Sequence, residues 1–530
     1  MAYGARSAQK RVSNIKSMGA PTGGLNDIDA LAVMGEQFCI QLNNIFPGNP
    51  SLITRGGYRE FATGMTGLVK TIMTMNKLDG TIATLSVTNA GVYDTSYPVQ
   101  NPPLAYALSS GSVSYTAYSN IAGQYLVACN GVNNAFLYDG SVFTTFTQVV
   151  SPVNPGEISG VDPARLSFVV AHKGRLWFVE KDSMTAYYLD TDAVAGVATP
   201  FYLGGVFHRG GSLVAIVTWS LNAGNGLDDK LVFVSSAGEL AIYAGSNPND
   251  TDDWALESLF YVAPPVGTAN SASDFGGDVL LMTTAGLIPI SKVVQGVSNI
   301  ALYDSAVTKN ISKTLSFFAN SYGNLDAWQL MSLPKLQALI IIIPKVGNRG
   351  ARQFIMNTLN GAWGRYDLPA TCMAQSGDSV FFGGDGTTYL FNTVGLDGVD
   401  FDGEGGVAVE SSLFSAFNYF DSPEAIKHWK LIRPLMQSNK PVSCLTKLAI
   451  DFDLTPIAGN PYPPDQVGEW YMWDDAIWDQ AYWGTFNALT KQWRTVTGVG
   501  FCAALLMKIA SDTPVSFMAC QYVYEKGTAI

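Results

Sequence analysis

Apolar residues along this chain come in short runs separated by polar turns that hold a glycine. The clearest case is Gly123 to Ser141, GQYLVACNGVNNAFLYDGS. An apolar strand (YLVAC), a Gly/Asn turn (NGVNN) and a second aromatic-bearing strand (AFLYD) together predict a β-hairpin. The unit recurs as TLSVT-NAG-VYDTS, SFVVA-HKG-RLWFVE, LVFVS-SAG-ELAIYAG, VLLMT-TAG-LIPIS and VFFGG-DG-TTYLF. The turn glycines are Gly91, Gly131, Gly174, Gly238, Gly286 and Gly386. A seventh unit, LIIIIPKVGNRGARQFIMN, has a longer loop ending near Gly350. The spacing is irregular but near the length of a propeller blade. No single unit can bury its own faces, so side-by-side packing has to cover them. The predicted fold is all-β: a β-propeller-like core of repeated hairpin units over residues 67–393, with an additional β-sandwich-like C-terminal domain.

Outside the hairpins, residues 1–20 carry Arg6, Lys10, Arg11 and Lys16 with no acid and little apolar content. They read as a basic arm without its own fold. Residues 21–66 form an opening segment of turns and a strand-like SLITRGGYREFAT. Between residues 301 and 320, Val307, Ile311, Leu315 and Phe318 fall at helical spacing and predict one short amphipathic helix. Residues 394–406, VGLDGVDFDGEGG, read as a flexible acidic linker, and residues 407–530 as the β-rich C-terminal or platform domain.

Composition then narrows the functional classes. Of the 530 residues, 47% are hydrophobic and only 14% charged, which suits a large core and extensive subunit contact, because interface cores are depleted in charge. A net charge of −12 disfavours static nucleic-acid binding, which needs many Lys and Arg against phosphates. Six cysteines (Cys39, Cys129, Cys372, Cys444, Cys502, Cys520) include no C-x-x-C pair and read as small buried hydrophobes. No run is long enough to span a membrane as a helix, and the chain reads as made in a cytoplasm without a secretion address.

The catalytic inventory is thin. His172, His208 and His428 are the only histidines. There is no G-x-S-x-G elbow, no phosphate-cradling G-x-x-x-x-G-K-S/T, and no zinc-ligand spacing. Asp397, Asp400, Asp402 and Glu404 are the one metal candidate, but they lack the calcium-loop pattern and read as a solvated linker, as do Asp250, Asp252 and Asp253. Trp470, Trp473, Trp478 and Trp483, interleaved with Asp474, Asp475 and Asp479, leave an alternative open: a glycan-binding propeller or a glycoside hydrolase working through a Trp/Asp-rich C-terminal region. The plainer reading of those rings is a small core or a subunit contact.

A resemblance bears on the choice. The opening Gly23, Gly24, Leu25, Asn26, Asp29, Met34, Leu42, Asn43, Asn44, Arg55, Gly56, Gly57, Tyr58, Ala62, Thr63 and Gly64, "GGLN…D…M…LNN…RGGY…ATG", resembles the start of tail nozzle (tail tube B-like, tail hub) proteins of short-tailed bacteriophages. That resemblance implies a propeller carrying extra β-domains. It implies a homo-hexameric ring below the portal and adaptor, flanked by fibres or spikes, in the virion tail. Such a ring is a channel for double-stranded DNA in passage, without specific binding, enzyme activity, cofactor or membrane insertion. The acidic balance fits a bore that repels phosphates. The residues expected to make partner contacts are Arg6, Lys10, Arg11, Lys16, Arg55 and Tyr58.

Overall fold

The computed structural model describes residues 13–222, 227–267, 271–296, 304–344, 352–392, 395–440, 442–459, 461, 488–490 and 492–529. Strands account for 55% of the chain and helices for 6%, so the fold is all-β.

Seven blades of meandering antiparallel hairpins follow one another among the described residues; the first five are separate small sheets, and the last two are parts of one large sheet that also runs through the second body. Blade one is Thr71–Asn76, Ile82–Val87, Gly91–Asp94 and Leu104–Ala107; blade two is Ser114–Asn120, Gly123–Cys129, Phe136–Tyr138 and Phe143–Thr145. Blade three is Leu166–His172, Arg175–Glu180, Thr185–Tyr188 and Thr199–Tyr202; blade four is Leu213–Asn222, Leu227–Ser235, Glu239–Ala244 and Ala255–Tyr261. Blade five has three described strands, Ala272–Phe275, Asp278–Thr283 and Gly286–Pro289. Blade six is Gln329–Leu333, Ala338–Ile343, Arg352–Asn357 and Trp363–Tyr366. Blade seven is Cys372–Ser376, Ser379–Gly383 and Asp385–Phe391, completed by Tyr58–Leu68 from near the other end of the chain.

Each hairpin read from the sequence supplies one blade. Gly91, Gly131, Gly174, Gly238, Gly286 and Gly386 all have positive φ, the conformation such turns demand and a Cβ resists. Their place in the blade is not constant. In blade three the Lys173-Gly174 turn joins the first two strands, with both residues left-handed. In blades one, two, four, five and seven the turn joins the second and third.

Alternating side chains pack forward and backward onto neighbouring blades. Blade six shows why its sequence runs LIIII: Leu339, Ile341 and Ile343 pack toward blade five, while Ala338, Ile340 and Ile342 pack toward blade seven. A strand buried on both faces reads as a continuous apolar run rather than an alternation. The ring closes between blades seven and one, where Cys372, Ala374 and Phe381 meet Ile72 and Tyr93. Ser312–Tyr322 is the predicted helix; Ile311, Leu315 and Phe318 bury against blades five and six, and Val307 lies outside it.

The second body is a sandwich. One sheet holds Ser13–Gly19, Val515–Ala529, Ala425–Ser438 and Arg494–Gly500, with Leu52–Thr54 and Ile45–Pro47 at its edge. The other holds Ser443–Ile450, Ala503–Ser511, Gly405–Ser415 and Phe38–Asn43. Between them lie Leu42, Leu413, Trp429, Ile432, Met436, Leu505, Met507, Phe517 and Tyr522.

Three expectations are corrected here. Residues 13–19 are not an arm but a strand paired from Ser13↔Glu525 to Gly19↔Ala519. Its polar composition hid it, because only Met18 packs toward the core while Ile15 faces outward. Residues 21–66 are not one segment: strands through Thr54 belong to the sandwich, and Tyr58 onward belongs to blade seven. Residues 394–406 are not a flexible linker throughout, because Leu396–Val399 is a strand paired to both Tyr58–Leu68 and Gly405–Ser415.

Candidate functional site: the seam between propeller and sandwich

Of the matched opening residues, Gly24, Asn43, Asn44, Arg55, Gly56, Gly57 and Tyr58 lie where the two bodies meet. Gly24 pairs with Trp363 of blade six and with Phe38 of the sandwich. Asn43 pairs with Arg365 of blade six and Ser412 of the sandwich. Leu396–Val399 then links the sandwich to blade seven. One hydrogen-bonded ladder thus runs from blade six through the sandwich into blade seven.

Arg55 sits at the centre of this seam with its side chain 2% exposed. Its Nη1 and Nη2 donate to Asp397 Oδ1 and Oδ2, both at 2.6 Å, and its Nε donates to Asn44 Oδ1 at 2.9 Å. Asp367, at the end of blade six, adds a second carboxylate 3.5 Å away. Burial alone pulls against the charged guanidinium, but the Asp397 hydrogen bonds and charge outweigh it and hold its pKa above the ordinary value. A forked, doubly bonded pair of this kind fixes geometry as well as energy. Asn44, itself left-handed, donates through Nδ2 to the Glu410 carbonyl at 2.8 Å, and its Oδ1 also accepts from Asp367 N–H at 3.2 Å. Five residues, Asn44, Arg55, Asp367, Asp397 and Glu410, are therefore tied at one point.

The residues after Arg55 explain the R-G-G-Y spelling. A Cβ on Gly57 would overlap the Leu396 carbonyl, and one on Gly56 would overlap the Asn392 side chain. Tyr58 then turns its ring edge-on to Phe382 (5.1 Å) and Tyr389 (5.2 Å) in blade seven. Burial, helped by the nearby Asp397 charge, pushes its hydroxyl up to about 12. At the other end of the seam Asp27 accepts from Thr314 N–H (2.7 Å) and Lys313 N–H (3.3 Å), satisfying first-turn amides of the helix.

The expected contact residues divide as follows. Arg55 is a correction: its buried charge is consumed inside the chain and cannot meet a partner. Tyr58 is half-buried in blade seven. Lys16 pairs with Asp421 at 2.8 Å on the sandwich edge. Arg6, Lys10 and Arg11 lie outside the described residues, as do the four tryptophans of 470–483 and their aspartates.

No family model and no curated protein sequence matches this chain. Among solved structures it is similar to BBS1N in its complex with ARL6DN, at 11% identity over 64% of this chain and 97% of that one, with a TM-score of 0.38. It is similar also to Sqt1 of Saccharomyces cerevisiae, at 14% identity over 64% and 98%, TM-score 0.34. A third is a quinonprotein alcohol dehydrogenase-like protein of Bacteroides thetaiotaomicron, at 11% identity over 67% and 68%, TM-score 0.30. These are propeller-like proteins, and the likeness is one of fold.

The reactive side chains are placed as packing groups. All six cysteines are buried and unpaired, and burial pushes their thiols up, to about 12 for Cys372, Cys444 and Cys520 and about 11 for Cys502. A thiol held that high is a poor nucleophile. His172, 4% exposed, faces Thr218 Oγ1 at 3.2 Å between blades three and four. Burial, with Lys173 beside it, pushes its pKa down to about 4. Asp397 belongs to Arg55, and Asp400 Oδ1 accepts the Glu404 N–H at 2.7 Å. Asp253 caps the turn at Ser246 and Asn247. Among the described residues no three His, Cys, Asp or Glu side chains gather as a metal site.

Sequence reasoning singled out Arg55 for an external contact and did not connect it with Asn44 or Asp397. Asn44 and Asp397 lie 11 and 342 positions away. The available signal was the pairing of two glycines after an arginine, which asks for a close backbone approach.

Proposed function

We propose that this protein is a structural subunit of the tail nozzle of a short-tailed bacteriophage. In this reading six copies form a ring through which the genome leaves the virion, joined to portal or adaptor rings and carrying fibres or spikes. The observation that carries the reading is the convergence of the GGLN…LNN…RGGY residues on one seam. Seven residues of the resemblance, Gly24, Asn43, Asn44, Arg55, Gly56, Gly57 and Tyr58, lie where a propeller meets an appended β-domain, the architecture the resemblance implies. Charge distribution supports a conduit. Residues 71–289, blades one to five, hold 18 acidic and 7 basic side chains, which is nearly all of the net −12. Carboxylates around a channel repel phosphates and keep DNA moving, whereas clustered arginines would hold it by counterion release.

The test is light scattering on the purified chain, with negative-stain images of the same sample. The expected result is a closed ring of six that does not retain duplex DNA at physiological salt. A monomer at every concentration that is retained on a glycan column overturns the reading and favours the carbohydrate alternative.

A further inference from the structure

Blade six carries two arginines that neither the core nor the seam puts to use. Arg352 opens the third strand of the blade and Arg365 lies in the fourth. Arg365 opposes Phe354 across the antiparallel pair, so Arg352, two residues before Phe354, is its diagonal neighbour on the same face. That face packs against the helix: Ile343, Phe354, Met356 and Trp363 share a core with Phe318. The two cations stand at the end of it, each half-buried. The Arg352 guanidinium lies over the Phe318 ring, 5.3 Å from its centre. The Arg365 backbone belongs to the seam, pairing with Asn43 and accepting the Asn44 N–H at 2.7 Å. Its side chain does not.

Among the described residues neither guanidinium donates a hydrogen bond or forms an ion pair, and Arg365 Nε is shut off from solvent without a partner. Asp367, two residues along, is turned to Arg55 at 3.5 Å. Burial and then the like charge of Arg352 pull the Arg365 pKa below its ordinary value, and Asp367 only partly offsets them. Elsewhere the chain answers the cations it takes out of water. Arg55 has Asp397. Lys427, fully buried, donates to the carbonyls of Ser422, Ala425 and Phe501 at 2.6, 2.9 and 2.8 Å. A desolvated donor without a partner is costly, most of all on a charged group. At the blade-six pair that cost is left standing, and a bound anion is the chemistry that removes it.

Charge and shape narrow the anion. A guanidinium presents a planar fork of N–H donors that fits two oxygens of a carboxylate or a phosphate. Two forks on diagonal neighbours, roughly 7–8 Å apart at the backbone, can close on one group from two sides. A carboxylate carries a single charge and satisfies one fork. A phosphate carries up to two charges, spread over enough oxygens to satisfy both.

We propose that Arg352 and Arg365 form a binding site for a phosphate group, with Arg365 as the inner fork and Arg352, steadied on Phe318, as the outer one. The site is complete within one copy of the chain and goes beyond the assembly reading above.

The test is a phosphorus NMR titration of inorganic phosphate with the full chain in chloride buffer at constant ionic strength, with thermal melts of the same samples. The expected result is saturable binding that raises the melting temperature. Arg352→Met removes only the outer fork and should weaken binding about tenfold or more. Arg365→Met should abolish binding and, without phosphate, should melt no lower than the parent chain, because an unanswered cation leaves the interior. Lys440→Met, which removes a positive charge from an exposed pair elsewhere, should bind as the parent does. Displacement by a short DNA duplex assigns the phosphate to a nucleic-acid backbone, and failure to displace assigns it to a free phosphate or monoester; both keep the site. Absence of saturable binding, binding unchanged in both arginine variants, equal displacement by acetate, or a lower melt of Arg365→Met without phosphate overturns the proposal.

Discussion

Blades one to five and blades six and seven solve the same packing problem in different ways. The first five are made from consecutive hairpins and are hydrogen-bonded as separate sheets. The last two have outer edges that continue into the sandwich, and blade seven borrows its outer strand from Tyr58–Leu68. A propeller of local hairpins has open ends, and this chain closes the ring and attaches its second body with the same stretch. The lesson is that the seam, not the blades, carries the long-range order. Loop-closure entropy there is largest, and the buried Arg55–Asp397 pair lies there.

That contrast can be broken first at Gly57. An added methyl meets the Leu396 backbone, which cannot swing aside, so Gly57→Ala should cost about 3 kcal/mol or more in urea unfolding. Gly19→Ala, with nothing within 4 Å of the added atom, should stay within about 0.5 kcal/mol. Arg55→Leu comes next. It strands the Asp397 carboxylate, 17% exposed, and should cost about 3–5 kcal/mol. Lys440→Ala removes the exposed Lys440–Asp512 pair and should cost at most about 1 kcal/mol.

Between the blades the sensitive group is His172. Its folded pKa lies below the unfolded value, so the unfolded chain binds the extra proton. Stability should then fall as pH drops from about 6.5 toward about 4. Between pH 7 and 5 this should amount to roughly 2 kcal/mol, absent in His172→Gln, as read from urea midpoints. A comparably small effect belongs to the turn at Asp400–Glu404. Two glycines inserted after Asp402, an exposed position, should cost at most about 1 kcal/mol. The same insertion after Gly395, next to the strand that carries Asp397, should match the loss in Arg55→Leu.

The blades were legible because a hairpin writes its whole signal within about 20 residues: an apolar run, a left-handed glycine, a second run. The helix was legible from Ile311, Leu315 and Phe318 for the same reason. The seam was not. Ser13–Gly19 alternates a polar face against Val515–Ala529, so its sequence looks like a solvated arm. Arg55 looks like a surface cation because its partner Asp397 lies in a stretch whose Gly/Asp composition suggests a linker. Charge pairs fixed by contacts hundreds of residues apart leave no periodicity to read.

The most direct measurement is differential scanning calorimetry of the intact chain. A ladder continuous through blade six, the sandwich and blade seven, clasped by Arg55, predicts that both bodies melt in a single cooperative transition, with calorimetric and van't Hoff enthalpies in agreement. Two well-separated transitions, one for the propeller and one for the sandwich, would contradict it.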